Sequence, residues 1–298
     1  MTKPMSRQNM TLTIKDSAPY GTYAMTLHQR LVRVLMHDTL LGRTSLRRRF
    51  VARFRDDATG PVDATLFGLK VRFHPRDNQT DAKGAVCGKA YNATELRWLA
   101  KALHPDDIFL DIGANMGFFS LFAATRGAQI VAIEANPVLQ VRFEASFGFN
   151  DLPCTLLRGA VGDTNQRVRM APRDDDLGSG TVEDCEEGRI VMRPLLAWLA
   201  EAKVERIDCL KIDIEGYEDR ALIPFFRHAP AHLRPRYLMM ERATHHARRE
   251  ALETCLVRSG LYRLKHQSRA NLFYVLNRPQ QAVQAGRDGE SQWVWQSA

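Results

Sequence analysis

Apolar positions along the chain follow two periods, and their order predicts the architecture. Residues 1 to about 25 are polar and aperiodic, as in a loose terminal segment. Leu27, Leu31, Val34 and Leu35 then recur at helical spacing, which predicts a short amphipathic helix. Its stripe is short, which favours a cap on the core over a membrane anchor. Ala64 to Phe73 alternates around Gly68 as a strand or hairpin, and His74 to Lys89 reads as a polar, glycine-containing loop. From Asn92 onward helices and strands alternate. Asn92 and Glu95 have the spacing of a capping-box variant, ahead of the stripe Leu96, Leu99, Ala100 and Leu103. Ile108–Leu110, Ile130–Ile133, Thr155–Leu157, Ile207–Ile212 and Tyr237–Met240 read as strands, with Val168–Met170 as an added short one. Helices are predicted at Phe118–Ala124, Pro137 to about Phe149, Leu195–Ala202, Glu218–Phe226 and His246–Val257. Pro224 bends or ends the fourth of these, and Gly260 closes the last. Asp174–Glu187 is acidic and glycine-rich, a mobile surface loop of a length that can serve as a lid. Leu261–Leu264 and Leu272–Leu276 have only the short link Lys265–Asn271 between them, so they must pair antiparallel.

Strands separated by helices imply a parallel sheet covered on both faces, here closed by an antiparallel hairpin. The chain divides into an extension over residues 1–87, an α/β domain over 88–277 and a polar tail over 278–298. Trp293 and Trp295 in that tail have no physical account. No apolar run reaches the length of a membrane span, and no leader peptide is evident. Five scattered cysteines without C-x-x-C spacing argue against a disulfide framework or a zinc site and fit a reducing, cytoplasmic setting. The net charge of +8 is local: Arg30, Arg33, Arg43, Arg47, Arg48, Arg49, Arg53 and Arg55 crowd one segment. That segment reads as a solvated basic face, with a weak contact to an anionic surface as the sharper alternative. No aromatic-interleaved basic motif is present, so nucleic acid is not an expected partner.

Chemistry concentrates where strands end. Asp111, Glu134, Asp213 and Glu241 each close an apolar strand run, and ligands of open α/β sheets bind outside such ends. After Asp111 comes a tight turn, Gly113-Ala114-Asn115-Met116-Gly117, and then a helix. Such a corner brings a ligand close to unpaired backbone N–H groups. The turn is not the G-x-G-x-x-G of dinucleotide binding, and a carboxylate before it suits a cationic or hydroxyl-bearing ligand.

Phe109-Leu-Asp-Ile-Gly-Ala-Asn-Met-Gly117 resembles motif I of the class I S-adenosylmethionine (SAM) methyltransferases, and Ala132-Ile-Glu-Ala-Asn-Pro137 resembles their second-strand motif. Ala160-Val-Gly-Asp163 is similar to the segment after their third strand. Lys211-Ile-Asp-Ile-Glu-Gly216, followed by Glu218, resembles the K-I-D-[VI]-E-G segment of the FkbM-type methyltransferases, and Met240-Glu241 matches a glutamate they carry after the fifth strand. The likeness runs from about Tyr91 to Asn277. It implies a Rossmann-like class I methyltransferase sandwich, with a mostly parallel seven-stranded sheet and a C-terminal antiparallel hairpin. It also implies methyl transfer from SAM, usually to oxygen, on a natural product, a sugar or a glycan- or lipid-linked saccharide.

Within that resemblance, Glu134, beside Ala135, takes the ribose hydroxyls, since a carboxylate can accept from both. Asp111 with Gly113, Ala114, Asn115 and Gly117 shapes the methionine half, and Ala160 and Val161 flank the adenine. Asn115 either donates to the SAM carboxylate or simply adopts the left-handed turn that asparagine tolerates. Asn136 and Pro137 start a helix. An alcohol acceptor must lose a proton, and Asp213 and Glu241 lead as bases, ahead of Glu215 and His245. Among like charges, one carboxyl can have a raised pKa. On a period-two strand Lys211 shares a face with Asp213, to bind an anion or pair with a carboxylate. No spacing marks a metal site. Other readings are an N-methyltransferase, an NAD-dependent oxidoreductase and a non-catalytic binding protein of the same fold.

Overall fold

The structure is a computed structural model that describes residues 18–171, 176–242 and 246–277. Helices α1 (Leu27–Met36) and α2 (Arg47–Asp56) precede a hairpin of β1 (Val62–Leu66) and β2 (Leu69–Phe73). Helices α3 (Gln79–Cys87) and α4 (Ala93–Ala102) follow. Then β3 (Ile108–Ile112), α5 (Phe118–Ala124), β4 (Gln129–Glu134), α6 (Pro137–Gly148) and β5 (Thr155–Arg158) alternate. Four short strands come next: β6 (Ala160–Gly162), β7 (Gln166–Met170), β8 (Val182–Asp184) and β9 (Ile190–Pro194). The chain closes with α7 (Leu195–Glu201), β10 (Cys209–Ile212), α8 (Glu218–His228), β11 (Tyr237–Glu241), α9 (His246–Glu253), β12 (Tyr262–Gln267) and β13 (Asn271–Leu276).

Seven strands form the main sheet in the order β12-β13-β11-β10-β3-β4-β5. Pairs among β11, β10, β3, β4 and β5 are parallel, whereas β13 runs antiparallel to both β11 and β12, as the short link requires. The chain moves outward from β3 to β5 on one side, then crosses back to place β10 on the other side of β3. That reversal is the crevice-forming switch point. One core packs between the sheet and the N-terminal elements, with Phe73, Phe109, Phe118 and Phe143 fully or almost fully buried in it. A second core, with Leu110, Ile212, Phe225 and Tyr262, packs on the other face.

Several expectations change. His74–Lys89 is not a loop, because α3 occupies most of it. The Asn78 side chain accepts from Thr80 N, capping the helix, and the small residues Ala82, Gly84 and Ala85 are buried. Asn92 is left-handed and makes no side-chain cap, while the buried Glu95 carboxylate instead accepts from Ser268 Oγ and Asn271 Nδ2. Helix α8 runs through Pro224. The expected strand at Val168–Met170 belongs to an unforeseen second sheet, ordered β6-β9-β7-β8, and part of the expected acidic loop is its strand β8. Helix α1 forms, but Leu27, Leu31, Val34 and Leu35 face outward, and Gln29, Val32 and Met36 face the core. Trp293 and Trp295 lie outside the described residues. Among those described, no helix is long and apolar enough to cross a membrane.

Candidate active site

The turn after β3 is built for close approach. Gly113 has φ +72°, and a Cβ there would lie 2.0 Å from the Asp213 carbonyl oxygen. Only glycine lets the ends of β3 and β10 meet in this way. Asn115 is left-handed, and its Oδ1 accepts from Met116 N at 2.7 Å and from Asn78 Nδ2 at 2.6 Å.

The four strand-end acids separate into different roles. Asp111 is fully buried; Ser120 Oγ donates to it at 2.6 Å, and Lys211 Nζ lies 3.2 Å away. Lys211 faces Asp111 directly in the β3–β10 register, and its ammonium also donates to Gly113 O at 2.8 Å. Burial works against the charge on Lys211, yet Asp111, Asp213 and Glu134 together hold its pKa above the usual value. Asp111 therefore braces the turn from beneath, buried behind the cavity wall and not on it. Ala114 and Gly117 also lie off the cavity wall, Gly117 being pressed against the Phe143 ring.

Glu134 does reach the cavity. One carboxylate oxygen accepts from Asn115 N at 2.7 Å, the other from Asn136 N at 2.8 Å, and each keeps a lone pair free. Burial pushes its pKa up, and those two N–H groups with Lys211 pull it back.

Asp213 lines the cavity, with Glu241 on the neighbouring strand within hydrogen-bonding reach of it. Burial, then Asp213 and Glu215, push the Glu241 pKa up to about 8. With its pKa raised, the Glu241 carboxyl can hold a proton at neutral pH and donate it to Asp213 in a hydrogen bond. Beyond Asp213, Glu215 and Gly216 both take positive φ, and the buried Glu218 holds the turn by accepting from Ile214 N and Gly216 N. Glu215 lines the cavity; His245 lies outside the described residues.

The cavity wall comprises Gly113, Asn115, Glu134 and Ala135 on one side, the adjacent strand ends Ala160 and Val161, and Asp213 to Tyr217. The remaining wall comes mostly from the acidic segment whose length suits a lid, though no motif marks its individual residues. It is the segment Leu177–Gly180 with Met170 and Val182. That segment is tied to α3 by Asp176, whose Oδ1 accepts from Gln79 N at 3.0 Å, and by Leu177 N, which donates to Asp77 O at 2.8 Å. It presses inward, and the enclosed space is only about 60 Å³. A wider groove of about 850 Å³ runs between α8 and α9, but it touches no strand-end acid. The chemistry belongs to the narrower cavity.

Three further side chains interact with one another and with the Asp213 charge. The half-buried Tyr91 phenol has its pKa raised first by burial and also by Asp213. Lys83 Nζ sits 5.7 Å from the Tyr91 ring centre. Arg47 lies close enough to influence both.

Residues 111–254 match the family model described as the methyltransferase FkbM domain. The comparison with curated proteins gives no match. Among solved structures, the chain is similar to a Pyrococcus abyssi tRNA (uracil-54, C5)-methyltransferase in complex with S-adenosyl-L-homocysteine. That likeness has 11% identity and a TM-score of 0.43 over 73% of this chain, and spans only 44% of that one. A Pyrococcus furiosus methyltransferase shares 13% identity at a TM-score of 0.44, over 78% of this chain and 98% of that one. M. capricolum TrmK, in complex with S-adenosyl-homocysteine, shares 11% identity at a TM-score of 0.38, over 61% of this chain and 66% of that one. Over residues 111–254 the chain thus matches the methyltransferase FkbM domain, a SAM-dependent methyltransferase domain.

Proposed function

We propose that this protein transfers the methyl group of SAM to a hydroxyl oxygen of a sugar, a glycan- or lipid-linked saccharide or a natural product. The observation that carries the oxygen assignment is the Asp213–Glu241 pair, with Asp213 on the cavity wall and Glu241 behind it. The cavity residues fit the cofactor. Glu134 offers the ribose two acceptor oxygens, and Ile133, Leu139, Ala160 and Val161 make an apolar slot suited to a flat base. Gly113 and Asn115 leave the methionine half a wall without Cβ obstruction at the glycine.

Bound SAM supplies a methyl group activated on a sulfonium, and much of the catalysis is alignment of the acceptor oxygen with it. As the oxygen–carbon bond forms and the carbon–sulfur bond breaks, Asp213 accepts the hydroxyl proton. Glu241 controls whether Asp213 is free to do so. The test is calorimetry with S-adenosylhomocysteine, followed by turnover of SAM against hydroxyl-bearing saccharides. Cofactor binding with methylation of a hydroxyl is the expected result. Absence of binding at high micromolar cofactor, or methylation confined to amine acceptors, would refute the reading.

A further inference from the structure

The N-terminal helices present an apolar surface that the fold leaves uncovered. Nine large hydrophobic side chains are exposed among the described residues, and seven fall between Leu27 and Leu46. Leu27, Val34 and Leu40 are each about three-quarters exposed, at 75%, 76% and 76%. Leu27, Leu31, Val34 and Leu35 lie one above another on α1, and Leu40, Leu41 and Leu46 continue the patch into α2.

The orientation of α1 is fixed. Thr26 and Gln29 close a reciprocal capping box. Val32 and Met36 are buried, and the Arg33 guanidinium donates to the backbone oxygens of Ala85 and Thr65. A helix clamped by its polar side, with its leucines outward, is not a core cap.

The charge around the patch identifies its occupant. From Thr26 to Arg55 the chain has eight arginines and a single acid, Asp38. Asp38 is engaged with Lys89 N and His37. Arg30, Arg43, Arg48 and Arg49 are exposed, and none has a carboxylate within ion-pair distance among the described residues. A second copy docking on the same face would bring its own arginines against these, because a two-fold interface sets each patch against itself. A surface that buries aliphatic side chains and answers arginines with negative charge is an anionic bilayer.

We propose that the face from Leu27 to Arg49 docks this protein on an anionic lipid surface, with the α1 leucines in the headgroup–acyl boundary and the arginines on lipid phosphates. The patch runs from Leu46 directly into Arg47, whose charge reaches Lys83 and Tyr91. The docking itself does not depend on the methyl-transfer reading.

The test is flotation of the full chain with phosphatidylcholine vesicles, with and without phosphatidylglycerol. The expected result is binding that requires phosphatidylglycerol and weakens with salt. Leu31→Glu with Val34→Glu should abolish it, and Arg48→Gln with Arg49→Gln should weaken it by roughly 30-fold, at about one kcal/mol per arginine. These side chains are solvent-exposed, and an unchanged thermal melt checks each fold. Failure of the unaltered protein to float overturns the proposal, as does flotation that survives both double substitutions. A dimer dissolved by the Leu31 and Val34 changes, without flotation, also overturns it and assigns the face to a second copy.

Discussion

Asp213 and Glu241 are two carboxyls on adjacent strand ends within hydrogen-bonding reach of each other, and that fixes the expected pH behaviour. Glu241 is raised to about 8, so below that pH it carries a proton that can hydrogen-bond Asp213 and weaken it as a base. The apparent kcat/KM should rise with pH through about 8 and then level. Glu241→Gln removes the group that titrates near about 8, so the rise through that pH should disappear. Asp213→Asn should lower kcat by about 100-fold or more while leaving S-adenosylhomocysteine affinity nearly unchanged. A pH profile of each variant decides the matter, and an unmoved limb in Glu241→Gln would detach Glu241 from the proton step. The candidate acids were legible because each ends an apolar run. Which of them faces a ligand was not. Asp111 and Glu134 look alike in sequence, but Lys211 stands opposite Asp111 only in the folded register, and two backbone N–H groups meet Glu134 only across a turn.

Elements with a strong period were read correctly and elements built from small residues were not. Strands β3, β4, β10 and β11 are mostly buried, which leaves a nearly continuous apolar signal interrupted within them by Asp111 and Lys211. Helix α3 packs through Ala82, Gly84 and Ala85, so it has no stripe to detect, and its cap Asn78 looks like any loop asparagine. The wall Leu177–Gly180 has the same problem, being held by backbone groups and one carboxylate. It also has a kinetic consequence. Ligand pockets for small molecules usually exceed roughly 300 Å³, whereas this wall leaves about 60 Å³. The wall must move outward to admit a nucleoside-sized cofactor. Asp176 opposes that movement through Gln79 N and Gly178 N. Asp176→Ala should therefore raise the association rate of S-adenosylhomocysteine several-fold in stopped-flow fluorescence, since the open state is then more populated. An unchanged association rate would mean that the cofactor enters elsewhere.

At the scale of the whole molecule, the sequence divides into an extension over residues 1–87 and a domain over 88–277, and the described part of that extension shares a core with the sheet. Phe67 of the first hairpin packs edge-on against Phe118 and Phe122 of α5, with ring centres 5.2 Å apart in both pairs. Asn150 bridges to the hairpin backbone by accepting from Lys70 N and donating to Lys70 O, each at 2.8 Å. Arg142 on α6 grips Asp77 with two parallel hydrogen bonds of 2.8 Å. A hydrophobic boundary between extension and domain does not exist in the sequence, because Phe73 and Phe118 are simply two apolar residues until the fold buries them together. Each large side chain uncovered costs about 2 kcal/mol, and a domain's net stability is only about 5–15 kcal/mol. Removing residues 1–87 would uncover Phe118, Phe143 and their neighbours at once and leave Arg142 without its partner, which exceeds that margin. A chain starting at residue 88 should therefore aggregate or run as an expanded species in size-exclusion chromatography, without near-ultraviolet circular dichroism. The full chain should elute compact and melt in one cooperative step, because its N-terminal helices and its sheet share a single core. A monomeric, cooperatively melting product from residue 88 onward would show instead that the two parts fold separately, and that the basic, leucine-bearing helices are an appendage.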